Sequence, residues 1–265
     1  MDLKICTLVV CAIILCNSNN VLGQSSANIN NSPDNAGANG TQQQIKCNKK
    51  TYKDVDAMIA RMLTFGNSGR KFPEEAKEVN KYCEDTKIMI SKIEKLNKGC
   101  MKGLVRQVLS ITTYSAKKTF NQLCRQKSGP TKRMLEMLES SKCLNKANQE
   151  IQKCYDNTID HFVSLKTVDD KVKIPMACCA YHKKNNCMSK LADRVPTCTE
   201  KQVDIAIRFI ESISGSSLNL VCADYSDSSD KCDQFNGFKP TSDPKLRTKS
   251  FFLPLIELFD SFDEV

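Results

Sequence analysis

From Tyr52 onward the apolar residues recur with a helical period rather than in alternation. Val55, Ile59, Met62 and Leu63 fall on one helical face, and Gly66 is a natural stop. Pro73 sits where a helix begins, with Glu74 and Glu75 beside it to favour the positive N-terminal end. Val79, Cys83, Thr86, Ile90 and Ile93 then continue one face as far as Gly99. Thr131 is placed to cap a segment carrying Met134, Leu135 and Leu138 to Cys143. Thr199 and Gln202 have the spacing of a capping box in front of Val203, Ile207 and Ile210. No alternating run of strand length stands out, so the pattern predicts an all-α fold.

The cysteines add a second rhythm. Twelve of the fifteen lie between Cys47 and Cys232, and three pairs share one spacing. Cys100 and Cys124, Cys154 and Cys178, and Cys198 and Cys222 are each 24 residues apart. Apolar columns align between them: Val105, Ile159 and Val203; Leu109, Val163 and Ile207; Ile111, Leu165 and Phe209; Phe120, Ile174 and Leu218; Leu123, Ala177 and Val221. Turn-prone Ser115, Asp169–Asp170 and Ser214–Gly215 interrupt them. Each unit therefore reads as helix, turn, helix, with its two cysteines side by side at the open end. The expected fold is a disulfide-stapled array of about three antiparallel helical hairpins, paired Cys100–Cys124, Cys154–Cys178 and Cys198–Cys222. Closing a loop of that size contributes about 3 kcal/mol in the chain-entropy model. Cys143 and Cys187 each precede the next unit by eleven residues and Cys83 by seventeen. Cys47, Cys179 and Cys232 remain to tie the units to the rest.

The two ends are different material. Residues 1–23 read as a secretory signal peptide, with Lys4 ahead of an apolar run from Ile5 to Cys16 and Val21 and Gly23 placed for cleavage. Removing them leaves twelve cysteines, an even number that suits an oxidising compartment. Residues 24–46 form an Asn/Gln/Ser-rich leader with little to bury, expected to be flexible and to offer glycosylation sequons at Asn30 and Asn39. The cysteine-rich helical domain is expected over 47–236. A tail, 237–265, breaks at Pro240, Asp243 and Pro244 before an apolar Phe-rich stretch, which either closes the domain as a helix or docks on a partner.

Composition narrows the partners. Trp is absent, so the core rests on aliphatic residues, Met and cystine. Residues 1–46 are neutral and 222–265 carry −4, so the formal +9 places +13 on 47–221. In an exported protein this basic body suits acidic glycans or other polyanions weakly. The lysines are scattered, without a dense run or interleaved aromatics, so nucleic acid is not an expected partner. After cleavage no stretch is long enough to span a membrane.

Chemistry is thinly represented. Cys178-Cys179-Ala180-Tyr181-His182 resembles the CCxxH of secreted phospholipases, where His activates a water and a neighbouring Asp helps hold calcium. Here Lys183 replaces that Asp, Cys187 is displaced in spacing, and no glycine-rich calcium loop precedes the motif. No GxSxG context surrounds Ser, no CxxC pair exists for zinc, and His161 reads as a structural residue. No catalytic residue, cofactor or metal is assigned. Binding remains. Stacked amphipathic helices can enclose an apolar pocket, with Met58, Met62, Met89, Met134, Met137 and Met176 either lining it or filling the core.

The run of "EVNKYC", "GCMKGLVRQVL", "ACCAYH" and "PTC…VC" behind a signal peptide and Asn-rich leader resembles the secreted cysteine-rich proteins of arthropods. Among these it resembles the insect 27 kDa haemolymph glycoprotein family, over Cys47 to about Cys232. The resemblance implies an exported, non-enzymatic protein and supplies no functional residues. The expectation is a non-enzymatic binding protein for a hydrophobic small molecule, a lipid or an extracellular protein. A phospholipase-like hydrolase and an acidic-glycan binder are the alternatives.

Overall fold

The computed structural model describes residues 46–64, 68–125, 129–214, 222–225, 229–241 and 243–263. The expected signal peptide, nearly all of the leader, and the sequons at Asn30 and Asn39 lie outside them. Nine α-helices are described: α1 Lys49–Leu63, α2 Ala76–Cys100, α3 Gly103–Leu123, α4 Lys132–Lys146, α5 Asn148–Ser164, α6 Asp170–Ser189, α7 Leu191–Arg194, α8 Glu200–Ser214 and α9 Phe252–Asp263. Short 3-10 turns cover Leu165–Thr167, Ala223–Tyr225 and Asp230–Phe235. No strand occurs among the described residues, and no helix there is long and apolar enough to cross a membrane.

Local chemistry sets the helix ends. Asn48 caps α1 through Thr51 N, and Thr131 caps α4 through Met134 N (3.2 Å). Glu75 and Glu78 form a capping box on α2, so the helix starts at Ala76, three residues after Pro73. Thr199 and Gln202 exchange the two bonds expected ahead of α8 (3.0 and 3.3 Å). Helix α1 ends at Thr64, which adopts the left-handed conformation (φ 61°), before Gly66 is reached. Its hydroxyl contacts the buried Tyr82 hydroxyl at 2.9 Å, a tertiary partner that holds the strained residue in place.

Helices α2 and α3 pack as a long hairpin, α5 and α6 as a second, and α8 lies against α3 and α4. The main core runs through Ile93, Leu96, Leu109, Met134, Leu144, Ile151, Leu191 and Ile213. A smaller cluster lies between α5, α6 and α9, built on Phe162, Leu165, Met176, Ala177, Leu255 and Leu258. The tail is therefore a closing helix: α9 packs on α1, α3 and α5, and residues 45–265 form one compact unit.

The predicted cysteine pairing is corrected. The bonds are Cys47–Cys100, Cys83–Cys124, Cys143–Cys198, Cys154–Cys187, Cys178–Cys222 and Cys179–Cys232. Cys100–Cys124 fails because the span between them is one helix, not a hairpin. Apolar Val105, Leu109, Ala116, Phe120 and Leu123 bury a single face straight through Ser115. A helix of that length separates its ends by about 30 Å.

Residues 154–178 do form a helix–turn–helix, with the break near Asp169. The pairing there fails on azimuth. Cys178 and Cys187 are nine residues apart, so they leave α6 on roughly opposite sides. Cys187 meets Cys154, and Cys178 faces Cys222. In the third unit Cys198 is bonded to Cys143, next to the α4–α8 packing, and so is unavailable to Cys222. Of its expected turn, Ser214–Gly215, the first residue ends α8, and residues 215–221 lie outside the described residues.

Candidate functional site

Helix α6 is buried on several sides at once. Met176, Ala177, Cys178, Cys179, Ala180, Tyr181 and Met188 are all inaccessible, together with two lysines, Lys173 and Lys184. Three of its cysteines bond three different parts of the chain, which fixes the helix in the middle of the fold.

An apolar cavity of about 30 Å³ lies beside it, room for about one water. Helix α5 contributes Thr158 and Phe162 to its wall, and α6 contributes Ile174, Ala177, Cys178, Tyr181 and Lys184. The C-terminal segment supplies Phe251, Leu255, Leu258 and Phe259. The six methionines named from sequence are absent from this wall. Met62, Met89, Met134 and Met137 fill the main core, Met58 packs against it, and Met176 joins the smaller cluster. A larger hollow of about 250 Å³ adjoins the cavity across Phe162 and Leu258, with Lys166, Lys173, Glu257 and Ser261 at its rim.

Lys184 is the unusual group. The residue is 3% exposed, and its ammonium makes no hydrogen bond or ion pair with a described residue. It sits 4.4 Å from the Tyr181 ring centroid, 5.6 Å from Phe251 and 5.8 Å from Tyr155. Burial pushes its pKa down to about 8, partly opposed by the Glu211 carboxylate on α8. Cation–π contact returns about 2 kcal/mol in a desolvated site, less than the several kcal/mol that withdrawing an ion from water costs. Burial also raises the Tyr155 hydroxyl. Lys173, by contrast, is neutralised by Asp170 (2.5 Å) and donates to Ser261 (3.3 Å).

The wall formed by the C-terminal segment is held non-covalently. Buried Asp56 accepts from the backbone N–H groups of Lys249 (2.7 Å), Ser250 (3.0 Å) and Leu253 (3.2 Å), and from the Ser250 hydroxyl. A carboxylate there also faces the positive end of α9. Burial raises the Asp56 pKa, and its hydrogen bonds oppose that rise. Arg247 grips Asp160 through two bonds of 2.7 Å and reaches Asp156 at 3.2 Å. Among the described side chains, the far end of α9 makes the Lys166–Glu257 pair (2.5 Å, half-exposed) and the Lys173–Ser261 bond beside its apolar contacts. Exposed pairs of this kind contribute under about 1 kcal/mol.

The remaining sequence candidates are structural in their contacts. His182 Nε2 donates to the Cys222 carbonyl (3.1 Å), and His161 Nδ1 donates to the Asn157 carbonyl (2.8 Å). Burial lowers the His161 pKa. No cluster of three His, Cys, Asp or Glu side chains suited to a metal occurs among the described residues. Elsewhere, a shallow surface depression of about 660 Å³ on α3 is lined by Tyr114, Lys117, Lys118, Asn121, Gln122 and Arg125. Lys117 is there paired with Glu94 (3.1 Å).

Lys184 and Asp56 were both missed from sequence. Each had a signal: Lys184 follows Ala177 and Tyr181 at helical spacing, and Asp56 adjoins Val55 on the buried stripe of α1. A charge in register with an apolar face is the pattern that finds them. No family model matches the chain, and no curated protein or solved structure matches it either.

Proposed function

We propose that this chain is a secreted, non-enzymatic protein that binds a small hydrophobic molecule beneath α9. The observation that carries the reading is the apolar cavity between α5, α6 and a closing helix that no disulfide restrains. Its resting volume is far below the ~300 Å³ of an ordinary ligand pocket, so uptake requires the far end of α9 to lift. Six disulfides hold the rest of the frame while it does so, and cystine of this density suits an exported protein. The likeness to insect haemolymph glycoproteins supports the same compartment and a non-catalytic role.

Native mass spectrometry of the protein as purified from its producing cells tests this. The expected result is an added small-molecule mass that organic extraction removes. An unladen protein that also fails to take up dodecanol would overturn the reading. The phospholipase alternative receives no support from His182, whose Nε2 is occupied by a backbone carbonyl. Calcium-dependent fatty-acid release that His182→Ala abolishes would revive it.

A second reading rests on the depression on α3, where exposed Tyr114 stands beside Lys118 and Arg125. That combination suits a sulfated glycan through charge and ring stacking. Elution from heparin at moderate salt, lost in Lys118→Glu/Arg125→Glu, is the outcome it expects.

A further inference from the structure

We propose that Lys184 anchors the anionic head of an amphiphile whose tail lies along α6 under α9, making a long-chain carboxylate the preferred ligand class. The inference rests on the hydrophobic-ligand reading and adds the head group to it.

Two observations meet at this residue. The surface of the cavity is wholly apolar: Thr158, Tyr181 and Lys184 line it with their carbon atoms, and the Lys184 ammonium lies behind it. That ammonium is almost wholly buried yet has aromatic faces as its direct neighbours instead of an anion. Of the groups packed around it, Tyr155 and Tyr181 carry no charge at neutral pH. Glu211 acts on it from α8 without forming an ion pair. A buried cation without a counter-ion is costly, whereas one that meets a carboxylate in an apolar site gains a strong, charge-assisted hydrogen bond. Methionine would fill the same volume without that penalty, so the charge has a use that packing does not provide.

The direction of the tail follows from helix geometry. Lys173 and Lys184 are eleven residues apart, about three turns, so they share a face at a separation of ~16 Å. Lys173 stands at the rim of the adjoining hollow and Lys184 at the cavity. Ala177 and Phe162 lie along the strip, and Leu258 and Phe259 cover it. That strip is where a medium-length acyl chain fits once the C-terminal end of α9 lifts.

The test is calorimetric titration of the oxidised, solvent-extracted protein with dodecanoate and, separately, with dodecanol. Dodecanoate is expected to bind at least ten-fold more tightly than the alcohol. In Lys184→Met, of similar volume, that preference is expected to vanish while dodecanol binding persists. Equal affinities in the unmodified protein would overturn the anchor and leave the apolar site standing. Binding of neither probe would overturn both. The comparison within the unmodified protein decides the matter even if the variant does not fold. Retention of the carboxylate preference by a folded Lys184→Met would equally sink it.

Discussion

The stapled body and the C-terminal arm solve one problem by different means. Residues 47–232 carry all six disulfides, each joining segments at least 33 residues apart in sequence. The arm, 237–265, carries none, and its described anchors include one buried carboxylate, one arginine, the bonds to Ser164, Lys166 and Lys173, and the apolar face of α9. Cross-links act chiefly on the unfolded chain and leave the native body rigid. Hydrogen bonds and apolar burial can be broken and remade locally. The cavity lies on the seam between the two regimes, with α6 tied by three bonds on one side and α9 free of them on the other. A site that must open is best placed there.

The largest expected effect breaks the body. Replacing Cys83 and Cys124 together by Ala removes a cross-link spanning 41 residues and should cost about 4 kcal/mol in denaturant unfolding. The arm should stay seated in that variant, because its anchors lie elsewhere. Asp56→Ala attacks the arm instead. It leaves three backbone donors without their acceptor and should cost about 3 kcal/mol. Limited proteolysis should then cut near Lys249 while the stapled body resists.

Lys184→Met sharpens the comparison in the opposite direction. The folded pKa of Lys184 lies near 8, below the ordinary 10.5, so between those values the unfolded chain binds more protons. Stability of the unmodified protein therefore rises with pH across that window, and below pH 8 the full burial penalty stands. The variant should be about 3 kcal/mol more stable at pH 7, with the gap closing by about pH 10.5. The smallest effect is expected from Arg247→Met, about 1–2 kcal/mol for three charge-assisted bonds that are partly exposed. Paired with Asp160→Asn, a double-mutant cycle should return most of that as coupling.

The helical class was legible because caps and apolar stripes agree locally, as at Thr131, Thr199 and the face from Val79 to Ile93. The cysteine ruler misled because equal spacing says nothing of azimuth or of where a helix stops. Ser115 carries a turn-forming side chain, yet Ala116 and Phe120 pull it into one uninterrupted helix. The tail's role turned on Asp56, nearly two hundred residues away in sequence, which no local pattern links to Ser250. Lys184 was hidden among scattered lysines; only the packing of α5, α8 and the arm around it sets it apart.

The most direct measurement is residue-resolved hydrogen exchange of the oxidised protein, with and without dodecanoate. The account predicts that the amides of α9 beyond Glu257 exchange well before those of α2, α3 and α6, and that dodecanoate slows them selectively. Exchange of α9 in step with the stapled helices, unchanged by dodecanoate, would contradict it.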